Sequence, residues 1–373
     1  MPRKKTLLPI GIHLNPESVH MVQLEQADSM VALVSRASHE FPPLPASDGE
    51  GEPGDGAGAV HNEAREARYQ EVYQFARQTL ASDGFRGTEA VISLPADCLI
   101  IQHVRMAPMQ PEELSGALVW ELQKKLPYDP KEAVIRHILA GTVSENNERM
   151  QDVIALAARR ALVEKHVAAM SRIGLQVVGV SVEPCAMCYP YAFAAMHSTV
   201  SQDGPRSLMI VLPGVQKTHV AIVQGQETIF VKDVEFGTEQ LAGALARARD
   251  ITVEGAHALR AGWRTEGDKG SQSVQEEAVQ AYNSIPYELG HFIDEVVSCM
   301  RYHASLSRGA RVDRLLIVGE EARDKALVRV LGASLNVPCE VGDPLGAVTD
   351  LDARGAPAPE LAVAVGLSLF RAN

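Results

Sequence analysis

The stretch LLPIGIHLNPESVHMVQLE, Leu7 to Glu25, decides the fold. Two strand-like runs, Leu7 to Leu14 and Ser18 to Glu25, are parted by Asn15-Pro16, a pair that stops a strand and starts a turn. A third run, Val31 to Phe41, follows a turn at Ala27-Asp28-Ser29, so the segment reads as a three-strand meander. The same design returns in LMIVLPGVQKTHVAIVQGQETIFVKDVEF, Leu208 to Phe236, with runs at Leu208–Leu212, Thr218–Val223 and Thr228–Phe236 and a turn at Gln224-Gly225-Gln226. A chain that repeats its meander is duplicated.

Each meander leads into a helical pattern and then a buried strand. Tyr69, Val72, Tyr73, Ala76 and Leu80 share one stripe in the first half, and Glu239 to Asp250 is its counterpart in the second. The returning strands are Ala90–Leu94 ahead of Pro95, and Arg314–Val318 ahead of Gly319. Two such α/β halves normally face each other across a cleft.

An αβ insert follows the first returning strand. Cys98–Met106 is strand-like, and Pro111–Leu126 reads as a helix with Glu112 and Glu113 in its first turn and Lys124 and Lys125 in its last, which suits the macrodipole. Leu114, Ala117, Leu118, Leu122 and Leu126 form its packing stripe, and Val119 and Trp120 lie off it. Strands Val134–Val143 and Asp152–Ala158, a helix Ala161–Ile173 and a strand Gln176–Val182 complete the unit. Later, Leu289, Phe292, Ile293, Val296, Val297 and Met300 mark a long buried helix. Pro42–Val60 and Arg264–Gln275 read as exposed loops, the first expected to be mobile.

Composition sets the class. The 373 residues carry 35 Lys+Arg against 47 Asp+Glu, a net charge of −12 that argues against a nucleic-acid binder. No run approaches the ~18 apolar residues that span a bilayer, so no direct membrane span is expected. Arg3, Lys4 and Lys5 read as a solvated end without a signal sequence, and five scattered Cys fit a reducing cytoplasm. GEGEPG, Gly49 to Gly54, formally spaces three glycines like a dinucleotide loop, but it opens no helix and places Glu50 and Glu52 where pyrophosphate would sit. CAMC, Cys185 to Cys188, has redox or half-zinc spacing but lacks a second close pair; it reads as small buried side chains near a helix start. With neither HExxH, GxSxG nor a Walker loop, the simplest hydrolase and P-loop readings fall away.

The run ISLPADCLIIQHVRMAPMQPEELSGALVWELQKKLPYDPKEAVIRHIL, Ile92 to Leu139, resembles the most recognisable part of the PilM-type pilus-assembly proteins. The matching positions are Leu94-Pro95, Met106–Met109, Glu112-Glu113, Trp120-Glu121 and Pro127-Tyr128. The resemblance continues at VEPCA (Val182 to Ala186), at Arg301-Tyr302, at VPCEVGDPLG (Val337 to Gly346) and at PELAVAVGLSLFRAN. It implies an α/β, actin-like (ribonuclease H-like) duplicated two-lobe fold with an inserted αβ subdomain in the first lobe, the arrangement of the cell-division protein FtsA. The first lobe would take residues 1–96, 181–203 and 356–373, the insert 97–180 and the second lobe 204–355. It also implies a cytoplasmic protein at the inner-membrane face. Its partners would be a PilN-like bitopic inner-membrane protein, held by its N-terminal segment between first lobe and insert, and other pilus or secretion platform components. Trp120, Val119, Ile100 and His103 are the candidate groove residues.

The implied nucleotide pocket is where this sequence departs from the family. A family motif like DIGSSSVK stands here as HLNPESVH, so His13, Asn15 and His20 replace Asp, Gly and Lys. The second turn is LPGV, with Leu212 at the Asp position and only Gly214 kept; the adenosine turn is GEEA, with Glu320 and Glu321 after Gly319. Magnesium requires hard oxygen ligands, which Leu212 lacks and His13 supplies poorly. Pro16 and Pro213 each remove a backbone donor, and a carboxylate beside a phosphate costs roughly 1–4 kcal/mol per close pair. The expectation is therefore a non-catalytic scaffold of a type IV pilus or type II secretion platform, with a degenerate ATP site and neither cofactor nor metal. The alternative is an ATP- and magnesium-binding actin-like ATPase with rearranged ligands. An FtsA-like filament former is a third reading, disfavoured because Gly366–Asn373 is too short for an amphipathic anchor.

Overall fold

The computed structural model describes residues 5–27, 30–42, 44, 57–145, 148–197, 207–268, 271–306, 311–347 and 357–370. Most of the expected loop over Pro42–Val60, the GEGEPG run and the last three residues of the tail lie outside these.

The chain opens with β1 (Lys5–Leu14), β2 (Ser18–Ala27) and β3 (Met30–Glu40), then α1 (Ala57–Ser82) and β4 (Glu89–Leu94). The insert follows as β5 (Ile100–Met106), α2 (Pro111–Leu122), β6 (Ala133–Glu145) and β7 (Glu148–Arg159). The chain then forms α3 (Arg160–Arg172), β8 (Gln176–Val182), α4 (Glu183–Ala186) and α5 (Tyr189–His197). The second half runs β9 (Ser207–Pro213), β10 (Thr218–Gln224), β11 (Glu227–Val234), α6 (Thr238–Arg249), α7 (Val253–Asp268), α8 (Gln272–Asn283) and α9 (Pro286–Leu306). It closes with β12 (Arg314–Ile317), α10 (Lys325–Ser334), β13 (Cys339–Val341) and α11 (Ala362–Leu369).

The two large sheets have orders β3-β2-β1-β4-β8 and β11-β10-β9-β12-β13, the same topology twice. In each, an antiparallel meander joins two parallel strands. Alternation along a strand sends its residues to opposite faces. Ile10, Ile12 and Leu14 pack under α1 and α3, with Tyr69, Val72 and Met170. Met209 and Val211 pack in the same way under the helical layer of the second lobe, with Leu245 and Phe292.

The other faces are covered by exchange. Ala364 and Val365 of α11 pack on Val22, Leu24 and Val31 of the first sheet. Met187 and Cys188, between α4 and α5, with Tyr191 and Ala192 of α5, pack on Ile210, Leu212 and Ala221 of the second. Each lobe thus closes the other. Gly11 and Gly366 permit this: a Cβ at Gly11 would overlap the carbonyl of Ala364, and one at Gly366 would overlap that of Ala186. Here the missing side chain allows backbone to meet backbone.

The insert sheet, order β5-β7-β6, buries Val104, Val153 and Ala155 against Leu114, Leu118 and Leu122 of α2. Ile154 and Leu156 face the other way, into the core between the lobes.

Several expected boundaries move. The insert's own sheet ends at Arg159, whereas 180 was expected, because β8 pairs with β4 and α3 covers the first sheet. The helix expected to reach Leu126 ends at Leu122. The N–H groups of Lys125 and Leu126 still bond the Leu122 carbonyl, an irregular turn that keeps Leu126 in the core before Pro127 forbids continuation. Ala96–Cys98 is a 3-10 turn, so the strand begins at Ile100. Ala57–Val60 belongs to α1, and the loop expected over Arg264–Gln275 is mostly helix, since α7 runs to Asp268 and α8 begins at Gln272. Buried Trp263, Ala278 and Tyr282 anchor those two helices to the second-lobe core. Cys185 and Cys188 are free thiols, and burial pushes that of Cys185 up to about 12, in line with a packing role.

Candidate functional site

Two hairpin turns face each other across the cleft. Asn15 N–H donates to the Ser18 carbonyl at 3.1 Å, and Gly214 N–H donates to the Lys217 carbonyl at 3.0 Å, so each turn is tight. Register places His13 opposite His20 in the first hairpin and Leu212 opposite His219 in the second. Glu17 N–H donates to Asn15 Oδ1 at 3.0 Å, and Gly319 N–H to the Pro359 carbonyl at 2.9 Å. The N–H groups of Asn15, Glu17, Gly214 and Gly319 therefore already have acceptors in the chain.

The space between is filled by charge pairs. His20 Nε2 lies 2.7 Å from Glu320 Oε1, joining β2 to the turn after β12, while its Nδ1 is 3.0 Å from Ser38 Oγ. His13 stacks on His20 with ring centroids 5.6 Å apart. Glu183 stands between the lobes: its Oε1 is 3.2 Å from His13 Nε2 and its Oε2 is 3.3 Å from His219 Nε2. The His13 contact lacks hydrogen-bond alignment. His219 Nδ1 lies 2.6 Å from Asp233 Oδ1, and Lys217 Nζ donates to Asp233 Oδ2 at 2.9 Å. Arg323 Nη1 donates to Glu40 at 3.0 Å, a further tie between the lobes.

Burial and charge compete at each group. Burial alone would lower the pKa of His219, but Asp233 and Glu183 raise it to about 9. Burial would raise that of Glu183, but His13 and His219 bring it down to about 2. At His20 burial again opposes the proton and Glu320 wins, so its pKa is raised; that of Glu320 is held well below the carboxylate range against its own partial burial.

Glu321 does not face the cleft as a free charge. It pairs with Arg260 and accepts from Arg264 Nη1 at 2.7 Å, while Tyr282 hydroxyl, 3.3 Å from Arg260 Nε, donates to Asp324 at 2.6 Å. Glu320 and Glu321 thus each have basic partners within the chain, His20 for one and Arg260 and Arg264 for the other, and the expectation of two free carboxylates facing a phosphate is corrected. Leu212 lies over Gly319, in the space that a Cβ there would need. The residues expected to form a nucleotide pocket come together, but as a closed set of partners.

Sequence reasoning missed His219, Glu183, Asp233 and Arg260. A signal for His219 was present: HLNPESVH and LPGVQKTH have equal length and both end in His.

Of the expected groove residues, Trp120 is 77% exposed on α2 and Val119 is half-buried beside it. Ile100 packs against the insert core. His103 is placed elsewhere: its Nε2 donates to the Val231 carbonyl at 2.8 Å and its ring sits against Phe230 and Tyr302, so it ties the insert to the second lobe. Tyr302 hydroxyl donates to buried Asp152 at 2.7 Å in the same joint.

Two lobes of one topology, exchanged closing helices and an insert after the fourth strand define an actin-like fold. The chain belongs to the family described as type IV pilus assembly protein PilM, whose profile matches residues 56–372. The structure titled PilM-PilN type IV pilus biogenesis complex matches at 21% identity and TM-score 0.70, covering 99% of this chain and 98% of that one. The ethanolamine utilization protein EutJ from Carboxydothermus hydrogenoformans matches at 14% identity and TM-score 0.49, with 100% and 91% covered. The cytoplasmic domain of EpsL, an inner-membrane component of the type II secretion system of Vibrio cholerae, matches at 13% identity and TM-score 0.35, with 65% and 75% covered. Among the described residues no helix is long and apolar enough to cross a membrane.

Proposed function

We propose that this protein is a non-catalytic scaffold of a type IV pilus or type II secretion inner-membrane platform. It works on the cytoplasmic face and holds the N-terminal cytoplasmic peptide of a PilN-like membrane protein. Family membership supports the pilus role, and the PilM-PilN complex supports that partner. Recognition uses an extended peptide laid beside the insert, with Trp120 as its aromatic anchor, since it is the exposed member of the candidate set.

The observation that carries the non-catalytic reading is the cleft itself. The N–H groups of Asn15, Glu17, Gly214 and Gly319 are bonded within the chain, and Glu183 and Glu320 are engaged by histidines from both lobes. The donor set is also wrong for magnesium, which takes hard oxygen ligands, because His13 and Leu212 stand at the two turns. On this reading the cleft does not hold Mg-ATP. Calorimetry tests both halves. The partner's N-terminal peptide should bind with a micromolar or tighter Kd, and Mg-ATP should give no saturable heat at millimolar concentration. Saturable Mg-ATP binding overturns the non-catalytic reading, and absence of peptide binding overturns the scaffold reading.

A further inference from the structure

The ionic contacts across the cleft do more than fill it, because they join elements that share no sheet. Glu320 follows β12 of the second lobe, yet its partner His20 lies on β2 of the first. Glu183 follows β8 of the first sheet, yet contacts His219 on β10 of the second. Both histidines are almost fully buried, at 1% and 2% exposure, so these pairs are only weakly screened by solvent.

Charged and titratable groups from several elements face each histidine among the described residues. His20 faces Glu320 from the turn after β12, Glu360 from the turn before α11, Glu40 from β3 and the stacked ring of His13 from β1. His219 faces Asp233 from β11 and Glu183 from α4, and Lys217 neutralises the far oxygen of Asp233. Glu360 is partly buried, and burial raises its pKa, so it answers His20 more weakly than Glu320 does.

We propose that His20 and His219 form a proton-operated latch that holds the two lobes closed and releases them when both imidazoles lose their protons. A protonated His20 donates to Glu320, and a protonated His219 bridges Asp233 and Glu183 with its two ring N–H groups, so both lobes are tied at once. A neutral imidazole has a single N–H. On deprotonation His219 can donate to one of its two carboxylates only; Asp233 keeps Lys217, and buried Glu183 loses its aligned donor when the single N–H turns to Asp233. Glu320 likewise loses its charged partner. A buried carboxylate without a partner recovers its solvation only by reaching water, and separation of the lobes supplies that water. Closure is then set by protons, with no ligand required.

The sign follows from the carboxylates. They raise the pKa of His219 from 6.5 to about 9 and raise that of His20, so the latch is complete below pH 6.5 and fails on the alkaline side. The proposal does not rest on the partner assignment and stands or falls separately from it.

Hydrogen exchange of the full chain from pH 6 to 9.5, corrected for the intrinsic pH dependence of exchange, tests it. Protection of Leu14–Met21 and Leu212–Val220 should fall at least tenfold across that range, while the core of α9 keeps its protection. The radius of gyration by small-angle scattering should rise over the same interval, and imidazole NMR should place the titration of His20 and His219 there. Glu320→Gln should show the weakened first-hairpin protection already at pH 6.5. If that variant does not fold, the wild-type series decides alone. Constant hairpin protection to pH 9.5 overturns the latch. So does loss that coincides with α9, which is global unfolding, and so does a folded Glu320→Gln protein indistinguishable from wild type.

Discussion

The hairpin β1–β2 and the hairpin β9–β10 share a fold and a register, but their histidines are held differently. His20 has one cross-lobe carboxylate, Glu320, whose side chain is 22% exposed. His219 also has one, Glu183, and adds Asp233 from its own sheet; their side chains are 3% and 11% exposed. A repeated backbone does not repeat its electrostatics. What differs is the depth of the partners, and depth decides how much a pair contributes.

The most severe test of this comparison is Glu183→Ala. It strips both His13 and His219 of their shared carboxylate, and losing one partner of a buried ion pair should cost about 3–5 kcal/mol in urea unfolding. A Gly366→Ala change tests the exchange of closing helices that the two hairpins depend on. It should cost about 1–3 kcal/mol, because its Cβ overlaps the Ala186 carbonyl at a backbone contact that cannot yield.

The pH dependence separates the hairpins next. A pKa raised from 6.5 to about 9 gives His219 a contribution on the order of 3 kcal/mol that is whole below pH 6.5 and gone above pH 9. Glu183, depressed from 4.5 to about 2, shares the same contacts, and its contribution is whole above pH 4.5 and lost toward pH 2. Stability should therefore peak between pH 4.5 and 6.5. His219→Gln should flatten the alkaline fall more than His20→Gln does, as measured by denaturant midpoints at pH 6 and 9. The smallest expected effect is that of Trp120→Ala. The exposed indole should change stability by less than about 0.5 kcal/mol, yet weaken binding of the partner peptide by about tenfold or more.

Much of the fold was legible from the chain. Strand alternation and the recurrence of Leu7–Phe41 at Leu208–Phe236 gave both meanders, because a period of two is a local property. The insert boundary was not legible. Residues 160–182 follow the insert without a break in pattern, and only pairing of β8 with β4 shows that they belong to the first lobe. Several residues singled out in the sequence, from His13 to Glu321, line the cleft, but the partners of Glu320 and Glu321 were not legible. Glu320 and Glu321 look in sequence like adjacent bare charges, and their cations, His20 and Arg260, lie 300 and 61 positions away.

The sequence by itself determined a duplicated α/β chain, its strands and the residue types at its turns, since hydrophobic period and turn chemistry act over a few neighbours. Only the tertiary structure decided that the closing helices exchange lobes, that His103 serves a joint, and that four carboxylates of the cleft each meet a basic side chain. Charge pairing and backbone contact depend on distance in space, and long-range packing alone brings Glu183 to His219 and Gly366 to Ala186.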